Sequence, residues 1–229
     1  MAEAPRFLTI PAKTKHTATV ILIHGLGDSG NGMMPIAQYV GSDPALSHVR
    51  WILPHAPARP VTINGGTVMP AWYDIIAFQA NVPEDERGIK KSIESLSELM
   101  QTEIHGGIDA SRIVFGGFSQ GASLSLSMAL TIEEKLGGIV MLSGRMLVEE
   151  SLRKNITPHA TSIPIFIAHG AEDRIIKLDR SQSSVAVLKQ LGFMVHTETS
   201  ESNGGLGHST TAKELGDLKD WLKKTIPES

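Results

Sequence analysis

The sequence contains no cysteine. This absence excludes disulfide bonds, thiolate zinc sites, cysteine nucleophiles and S-acylation of the chain itself. A run of 18 apolar residues is also missing, so we expect no integral membrane segment. The first residues include an acid, Glu3, and no apolar stretch of signal-peptide length, so we expect no secretory signal. Ala2 stands where myristoylation requires a glycine. We therefore expect a cytoplasmic protein.

Aromatic residues and basic clusters are scarce. The 229 residues include two tyrosines and six phenylalanines, and the formal net charge is −3. Because there is no basic run to bind phosphates and few rings to stack on bases, we expect no nucleic-acid partner. The 41% hydrophobic content is ordinary for a globular protein. A chain of this length can form one α/β core, so a single domain over residues 1–229 is predicted.

Short apolar runs rich in β-branched residues alternate with segments of helical period. The predicted strands cover residues 19–23, 49–53, 112–116, 138–142, 163–168 and 193–199. The predicted helices cover residues 88–104, 122–130, 179–191 and 211–224. Several of the strands are apolar on both faces, which is typical of a mostly parallel sheet covered by helices on both sides. The expected fold class is therefore α/β.

Residues 54–86 show little periodicity and contain several prolines. A segment of this kind either covers a binding cleft or is a plain surface connection. It also carries large apolar side chains that we predict to line a substrate pocket: Trp72, Ile75, Ile76 and Phe78.

Residues 117–121 read Gly-Phe-Ser-Gln-Gly and fit the pattern G-x-S-x-G between a predicted strand and a predicted helix. In such a turn the serine backbone is strained, and the two glycines avoid crowding across the turn. The N-terminus of the following helix places partial positive charge beside a developing oxyanion. Ser119 is therefore the candidate nucleophile, and the alternative is an ordinary serine at a glycine-rich strand end.

A serine hydroxyl is a weak nucleophile near neutral pH, so it needs a histidine to take its proton and an acid to orient that histidine. For an elbow serine, the acid follows a later strand and the histidine lies beyond the last one. Asp173 and His208 meet these two conditions. We predict a catalytic triad of Ser119, Asp173 and His208.

Other residues compete for the two partner roles. Glu172 would point away from the site, and Asp179 is interpreted as a helix cap. His196 lies on a predicted strand, and His169 lies at a strand end, where a packed structural histidine is the simpler interpretation. The histidines interpreted as surface residues are His16, His48, His105 and His159.

A second glycine cluster, residues 25–30, reads Gly-Leu-Gly-Asp-Ser-Gly and fits the dinucleotide-binding pattern G-x-G-x-x-G. That motif requires an acid at the end of the second strand, whereas residues 53–57 read Leu-Pro-His-Ala-Pro. An NAD-dependent enzyme is therefore disfavoured. The loop also fits an oxyanion hole, with the N–H groups of Leu26 and Gln120 as donors. No H-E-x-x-H motif or histidine spacing indicates a metal site.

Five segments together resemble a known family, the acyl-protein thioesterases, lysophospholipases and carboxylesterases. They are His-Gly-Leu-Gly-Asp at 24–28, Val-Thr-Ile-Asn-Gly-Gly at 61–66 after Pro57, Met-Pro-Ala-Trp-Tyr-Asp at 69–74, Gly-Gly-Phe-Ser-Gln-Gly at 116–121 and Gly-His-Ser at 207–209. The resemblance covers nearly the whole chain. It implies an α/β-hydrolase fold without a large cap domain, a triad at the same three positions and no cofactor.

The resemblance also implies the reaction and the partners. Members cleave long-chain thioesters on S-acylated proteins, deacylate lysophospholipids or hydrolyse small carboxylic esters. Apolar residues of segment 72–78 fit either a transient membrane-surface contact or a weak homodimer, and a monomer is also consistent. Two alternatives stay open, which are a carboxylesterase for short-chain soluble esters and a non-catalytic binding module on a hydrolase fold.

Three short segments depart from the family pattern. They are Gly-Met-Met at 32–34, Arg-Ile-Ile-Lys at 174–177 and Ser-Gly-Arg-Met-Leu at 143–147. We expect these segments to lie at the acyl pocket.

Overall fold

The computed structural model describes residues 3–78, 82–147, 149–200 and 207–228. The strands are β1 Phe7–Ile10, β2 Ala18–Ile23, β3 Val49–Pro54, β4 Ala58–Val61, β5 Thr67–Pro70, β6 Ile113–Phe118, β7 Gly138–Leu142, β8 Ile165–Gly170 and β9 Val195–Ser200. The helices are α1 Gly30–Val40, α2 Glu86–His105, α3 Gln120–Thr131, α4 Glu149–Asn155, α5 Leu178–Gln190 and α6 Ala212–Thr225.

Seven strands form one sheet in the order β1-β3-β2-β6-β7-β8-β9. All neighbours are parallel except β1, which runs antiparallel to β3 at the edge. The predicted mostly parallel sheet is confirmed, and its six predicted strands are shifted by no more than two residues at either end. Within the described residues, no separate cap domain covers the sheet.

Helices pack on both faces because the central strands are apolar on both faces. In β2, Val20 and Leu22 point into a core shared with α1 and α6. Ile21 and Ile23 point the opposite way, into a core shared with α2, α3, α4 and α5. This alternation is the two-residue period of a strand, applied to a sequence that is apolar at five of its six positions.

Several elements differ from the sequence prediction, and the predicted helices do not include α1 or α4. Strand β1 was not predicted, and it is only four residues long and half-exposed, whereas the central strands are buried. Strands β4 and β5 form a separate antiparallel hairpin inside the segment predicted to be irregular. The prediction that Asp179 caps a helix is wrong, because Lys177 is the cap residue of α5 and Asp179 lies inside its first turn.

The parallel strands bring distant segments to one edge of the sheet. Ser119 follows β6, Asp173 follows β8, and His208 follows β9. Because carboxyl ends of parallel strands share an edge, all three side chains approach one another there. The sequence places His208 in a glycine-rich loop at residues 204–208, of which residues 204–206 lie outside the described residues. Among those described, no helix is both long enough and apolar enough to cross a membrane.

Candidate active site

Ser119 occupies a strained turn between β6 and α3. Its backbone has φ 54° and ψ −115°, a positive φ that side-chain-bearing residues rarely adopt. A Cβ at Gly117 would lie 2.5 Å from the carbonyl carbon of Gly121, and a Cβ at Gly121 would lie 2.2 Å from the carbonyl oxygen of Ile23. Only glycine fits at both positions, so the turn depends on the two flanking glycines that the motif supplies.

Ser119, His208 and Asp173 form a continuous hydrogen-bonded chain. The His208 Nε2 atom lies 2.7 Å from Ser119 Oγ, and His208 Nδ1 lies 2.6 Å from Asp173 Oδ2. An ionised carboxylate only accepts hydrogen bonds, so the Nδ1 atom carries the imidazole proton and Nε2 is left to accept from the serine hydroxyl. The histidine is therefore held in the tautomer that can take a proton from Ser119.

Asp173 is fixed by a second set of hydrogen bonds. Its carboxylate is fully buried, and Oδ1 accepts from the backbone N–H groups of Ile175 at 2.8 Å and Ile176 at 2.9 Å. Two backbone donors on one oxygen leave the other oxygen facing His208. The loop after β8 thus sets both the position and the orientation of the acid.

His169 is a second buried histidine beside this acid. Its Nε2 atom donates to the carbonyl oxygen of Ile176 at 2.7 Å and lies 3.4 Å from Asp173 Oδ2. Burial lowers the pKa of His169, so the ring is neutral and its proton stays on the donating nitrogen. It fastens the loop that carries Asp173 and does not reach Ser119.

The remaining competitors lie away from Ser119. Glu172, His105 and His196 are exposed. The prediction that His48 is a surface residue is wrong. It is fully buried, and its Nε2 lies 2.9 Å from the carbonyl oxygen of Ile226, because β3 begins under the C-terminal end of α6.

The loop after β2 faces Ser119 with its backbone. A Cβ at Gly25 would lie 3.2 Å from the Ser119 Cβ, so the two turns are in contact. The N–H groups of Leu26 and Gln120 have no hydrogen-bond acceptor within the described part of the chain. Gln120 is the first residue of α3, where backbone N–H groups have no partner inside the helix. Both predicted donors are thus available to an oxyanion at Ser119.

His24 holds the start of this loop. Its Nδ1 atom donates to the carbonyl oxygen of Gly25 at 2.7 Å, and its Nε2 atom accepts from the N–H of Ala56 at 3.0 Å. Burial lowers the pKa of His24, which keeps the ring neutral and able to accept as well as donate. The histidine therefore ties the loop after β2 to the segment after β3.

The Gln120 side chain joins the nucleophile turn to residues 72–73. Its Oε1 atom accepts from the Trp72 N–H at 2.9 Å, and its Nε2 atom donates to the Tyr73 carbonyl oxygen at 2.8 Å. The Trp72 indole N–H in turn donates to the carbonyl oxygen of His24 at 3.0 Å. The sequence motif marked Gln120 only for its backbone, and the role of its side chain could not be read from it.

A cleft of about 360 Å³ opens beside Ser119. This volume lies within the usual range of ligand pockets. Its apolar lining consists of Leu26, Tyr73, Ile75, Phe78, Phe118, Ile175 and Ile176. Ile75 and Phe78 were predicted for this lining, whereas Tyr73 and Phe118 were missed, although both are aromatic residues within the quoted motifs.

Two pocket predictions need correction. Trp72 does not line the cleft, since only 1% of it is exposed and its ring packs against His24 at a centroid distance of 5.2 Å. The indole N–H of Trp72 donates to the buried carbonyl oxygen of His24, so the ring lies beneath the cleft and supports the loop after β2. Ile76 lies on the solvent side of its segment, outside the lining.

The departures from the family pattern are only partly at the cleft. Arg145, Ile175 and Ile176 line it, but Met33 is buried in the core under α1 on the other face of the sheet. The Arg145 guanidinium lies 2.5 Å from a carboxylate oxygen of Glu84 and also donates to the carbonyl oxygen of Met146. The cleft wall therefore carries one cationic side chain, Arg145, whose charge is paired with Glu84.

The glycine cluster at 25–30 does not form a dinucleotide site. No acid follows β3, and a Cβ at Gly30 would meet the carbonyl oxygen of Leu53 at 2.4 Å, so the start of α1 is packed against β3. The described residues also contain no group of three or more side chains placed to hold a metal ion.

A strained serine turn after a central parallel strand, with a buried acid and a histidine from later loops, defines a serine hydrolase of the α/β-hydrolase class. Comparison with known proteins narrows this class. Residues 5–226 match the model of the Phospholipase/Carboxylesterase family, and the chain belongs to that family.

Relatives and solved structures agree over nearly the full length. The chain is 38% identical to acyl-protein thioesterase 1 of Cryptococcus neoformans, covering 99% of this chain and 100% of the relative. It is 40% identical to acyl-protein thioesterase 1 of Yarrowia lipolytica, covering 96% of each. The crystal structure of Zea mays acyl-protein thioesterase 2 superposes with a TM-score of 0.85 at 30% identity, covering 97% of this chain and 99% of that one. The α/β-hydrolase fold predicted from the resemblance is confirmed.

Proposed function

We propose that the chain is an acyl-protein thioesterase that removes long-chain acyl groups from S-acylated proteins and also deacylates lysophospholipids. The observation that carries this proposal is the hydrogen-bonded chain of Ser119, His208 and Asp173 at the mouth of an apolar cleft. The relatives named acyl-protein thioesterase support the substrate class. No step needs a cofactor.

The first half of the reaction forms an acyl-enzyme. His208 Nε2 takes the Ser119 proton while Oγ attacks the thioester carbonyl carbon, and the oxyanion receives hydrogen bonds from the N–H groups of Leu26 and Gln120. The intermediate collapses as the carbon–sulfur bond breaks, and His208 gives its proton to the leaving thiolate.

The second half releases the acid. His208 takes a proton from water, the hydroxide oxygen attacks the acyl carbon, and the bond to Ser119 Oγ breaks. His208 then returns the proton to Ser119. The buried Asp173 carboxylate accepts from His208 Nδ1 and stabilises the imidazolium that forms in each half.

The test is activity-based labelling combined with turnover. A fluorophosphonate probe should label the wild type, and Ser119→Ala should abolish both labelling and hydrolysis of an S-palmitoyl peptide. Ser42→Ala, which removes an exposed hydroxyl at the end of α1, is the matched control and should keep both. If the probe still labels the Ser119→Ala variant at another serine, the assignment of Ser119 as the nucleophile would be contradicted. Absence of all hydrolysis by the labelled wild type would favour the binding-module alternative.

A short-chain carboxylesterase is the second candidate, and one observation favours it. The charged Arg145 side chain, which lines the cleft and pairs with Glu84, is costly to cover with a long alkyl chain. A series of thioesters and oxyesters from acetyl to palmitoyl separates the two candidates. The thioesterase proposal predicts that kcat/KM rises with chain length, and a maximum at two to four carbons would support the carboxylesterase.

The rest of the proposal concerns the domain organisation, compartment, oligomeric state and membrane contact of the enzyme. We propose a single domain that works in the cytoplasm as a monomer or a weak homodimer and touches membrane surfaces transiently. The exposed side chains of Ile76 and Phe78 beside the cleft support such a contact. Sedimentation at several concentrations and vesicle co-flotation measure these two properties.

A further inference from the structure

A second cavity adjoins the cleft, and its lining is basic. We call it the basic groove. Its charged and polar lining consists of Arg145, Arg174, Lys177, Asp179, Arg180 and Ser183. Four cationic side chains face one carboxylate here, in a chain whose formal net charge is −3. The sign of the groove is therefore opposite to that of the molecule.

The basic groove and the cleft share one wall. Phe78, Arg145, Ile175 and Ile176 line both cavities. A substrate held at Ser119 can therefore extend over Ile175 into the groove without leaving the surface of the protein. Any charged group on the far part of such a substrate meets the cationic side chains.

Three of these cations lack a counter-charge. Arg174, Lys177 and Arg180 make no ion pair with any described residue, whereas Arg145 pairs with Glu84. Lys177 is the cap residue of α5 and Arg180 lies in its first turn. Basic residues at a helix N-terminus oppose the helix dipole, and the one acidic residue of this turn, Asp179, offsets only part of their charge. An anionic ligand would remove both the mutual repulsion and the conflict with the dipole.

We propose that the basic groove binds the terminal phosphate monoester of a 1-acyl-glycerol 3-phosphate whose ester carbonyl lies at Ser119. The proposal rests on the function proposed above and specifies one substrate class of the same site. A phosphate monoester carries close to two negative charges near neutral pH and offers several acceptor oxygens, which matches a cluster of arginine and lysine donors. The phosphate then favours phospholipid over neutral lipid of the same chain length.

The experiment compares two substrates that differ only in the phosphate. These are 1-octanoyl-glycerol 3-phosphate and 1-octanoyl-glycerol, used below the concentration at which they aggregate so that no membrane surface takes part. We expect the wild type to show at least about tenfold higher kcat/KM for the phosphate substrate at low salt, because several partly exposed charge pairs add. Raising the salt concentration should reduce this ratio, and inorganic phosphate should compete only against the phosphate substrate.

Variants locate the effect. The double change Arg174→Gln and Lys177→Gln should lower the ratio of the two kcat/KM values towards one. The matched control is Lys15→Gln with Lys189→Gln, which removes the same charge from exposed positions outside the groove and should leave the ratio unchanged.

The outcomes separate this inference from the proposed function. Equal cleavage of both lipids by an enzyme that hydrolyses S-palmitoyl peptide would overturn the phosphate site alone. An equal loss of ratio in the control pair would also overturn it, because the preference would then come from overall charge. Preference for S-acyl peptides with acidic neighbours, without preference for the phosphate lipid, would assign the groove to peptide and refute the proposal. Failure to hydrolyse any ester or thioester would refute the proposed function itself.

Discussion

Asp173→Asn tests whether the acid acts by fixing the tautomer of His208. The substitution keeps the shape of the side chain but replaces one oxygen by an NH2 group. Oδ1 is held by the N–H groups of Ile175 and Ile176. The amide oxygen therefore stays on that side, and the NH2 group faces His208 Nδ1. A donor in that place forces the imidazole proton onto Nε2, which can then no longer accept the proton of Ser119.

The magnitude follows from the cost of turning the amide round. A flipped amide would restore the acceptor to His208 but would lose the two hydrogen bonds from the backbone N–H groups of Ile175 and Ile176, at roughly 2 kcal/mol. At 1.4 kcal/mol per tenfold, no more than about 3% of the molecules would be flipped. We expect kcat to fall at least about 30-fold and up to about 10⁴-fold, the loss seen when a triad histidine has the wrong tautomer.

The assay is steady-state hydrolysis of a soluble p-nitrophenyl ester, paired with thermal unfolding. The melting temperature should stay within a few degrees of the wild type, since the backbone hydrogen bonds of Oδ1 survive. Asp220→Asn makes the same change at an exposed position of α6 and should keep full activity. Retention of more than a tenth of kcat in a folded Asp173→Asn protein would refute the tautomer argument.

Three further predictions concern the supports of the site. Gln120→Leu leaves the Trp72 N–H and the Tyr73 carbonyl buried without partners, so the unfolding free energy measured in urea should fall by roughly 2–5 kcal/mol. A loss under about 1 kcal/mol would contradict the stabilising role of the Gln120 side chain. Gly121→Ala places a Cβ against backbone, so we expect about 3 kcal/mol or more of destabilisation or no soluble protein, and wild-type melting would refute the steric argument. Because burial lowers the pKa of His169 below 6.5, its contribution to stability is full above that pH and is lost on acidification, at up to about 1.4 kcal/mol per pH unit. His169→Gln keeps a donor for the Ile176 carbonyl, so its unfolding free energy between pH 6.5 and 5 should fall less steeply than that of the wild type, and identical slopes would count against the neutral histidine.

The sequence predicted the parts of the molecule that depend on local pattern. Apolar runs located the six parallel strands, and chain order linked Ser119 to Asp173 and His208, which the fold brings within hydrogen-bond distance. Strand β1 was missed because it has only four residues, and the hairpin of β4 and β5 was missed because half of its eight strand residues are prolines or polar.

The cleft lining was harder to predict, because neighbouring residues have opposite roles. Trp72 and Tyr73 are adjacent large aromatics, yet one is beneath the cleft and the other lines it. The difference comes from the hydrogen bonds of Trp72 to Gln120 and His24. Each of these two residues is 48 positions away from Trp72 in the sequence. Arg145 faces the cleft for a similar reason, since its carboxylate partner Glu84 comes from a different segment. Such choices are made by tertiary contacts and leave no local pattern.

The close packing of Gly121 against Ile23 reflects a fixed distance between the turns that follow β6 and β2. Ile23 and Gly117 are register partners in β2 and β6, so the two turns that follow them begin one interstrand spacing apart, about 4.8 Å. The gap between Ser119 and the Leu26 N–H group is thus set by backbone hydrogen bonding between β2 and β6, which side-chain mutation hardly alters. Apart from Leu26 and Phe118, the apolar side chains of the cleft and all those of the basic groove come from other segments. Selection can therefore change which substrate is accepted while the reaction geometry stays constant.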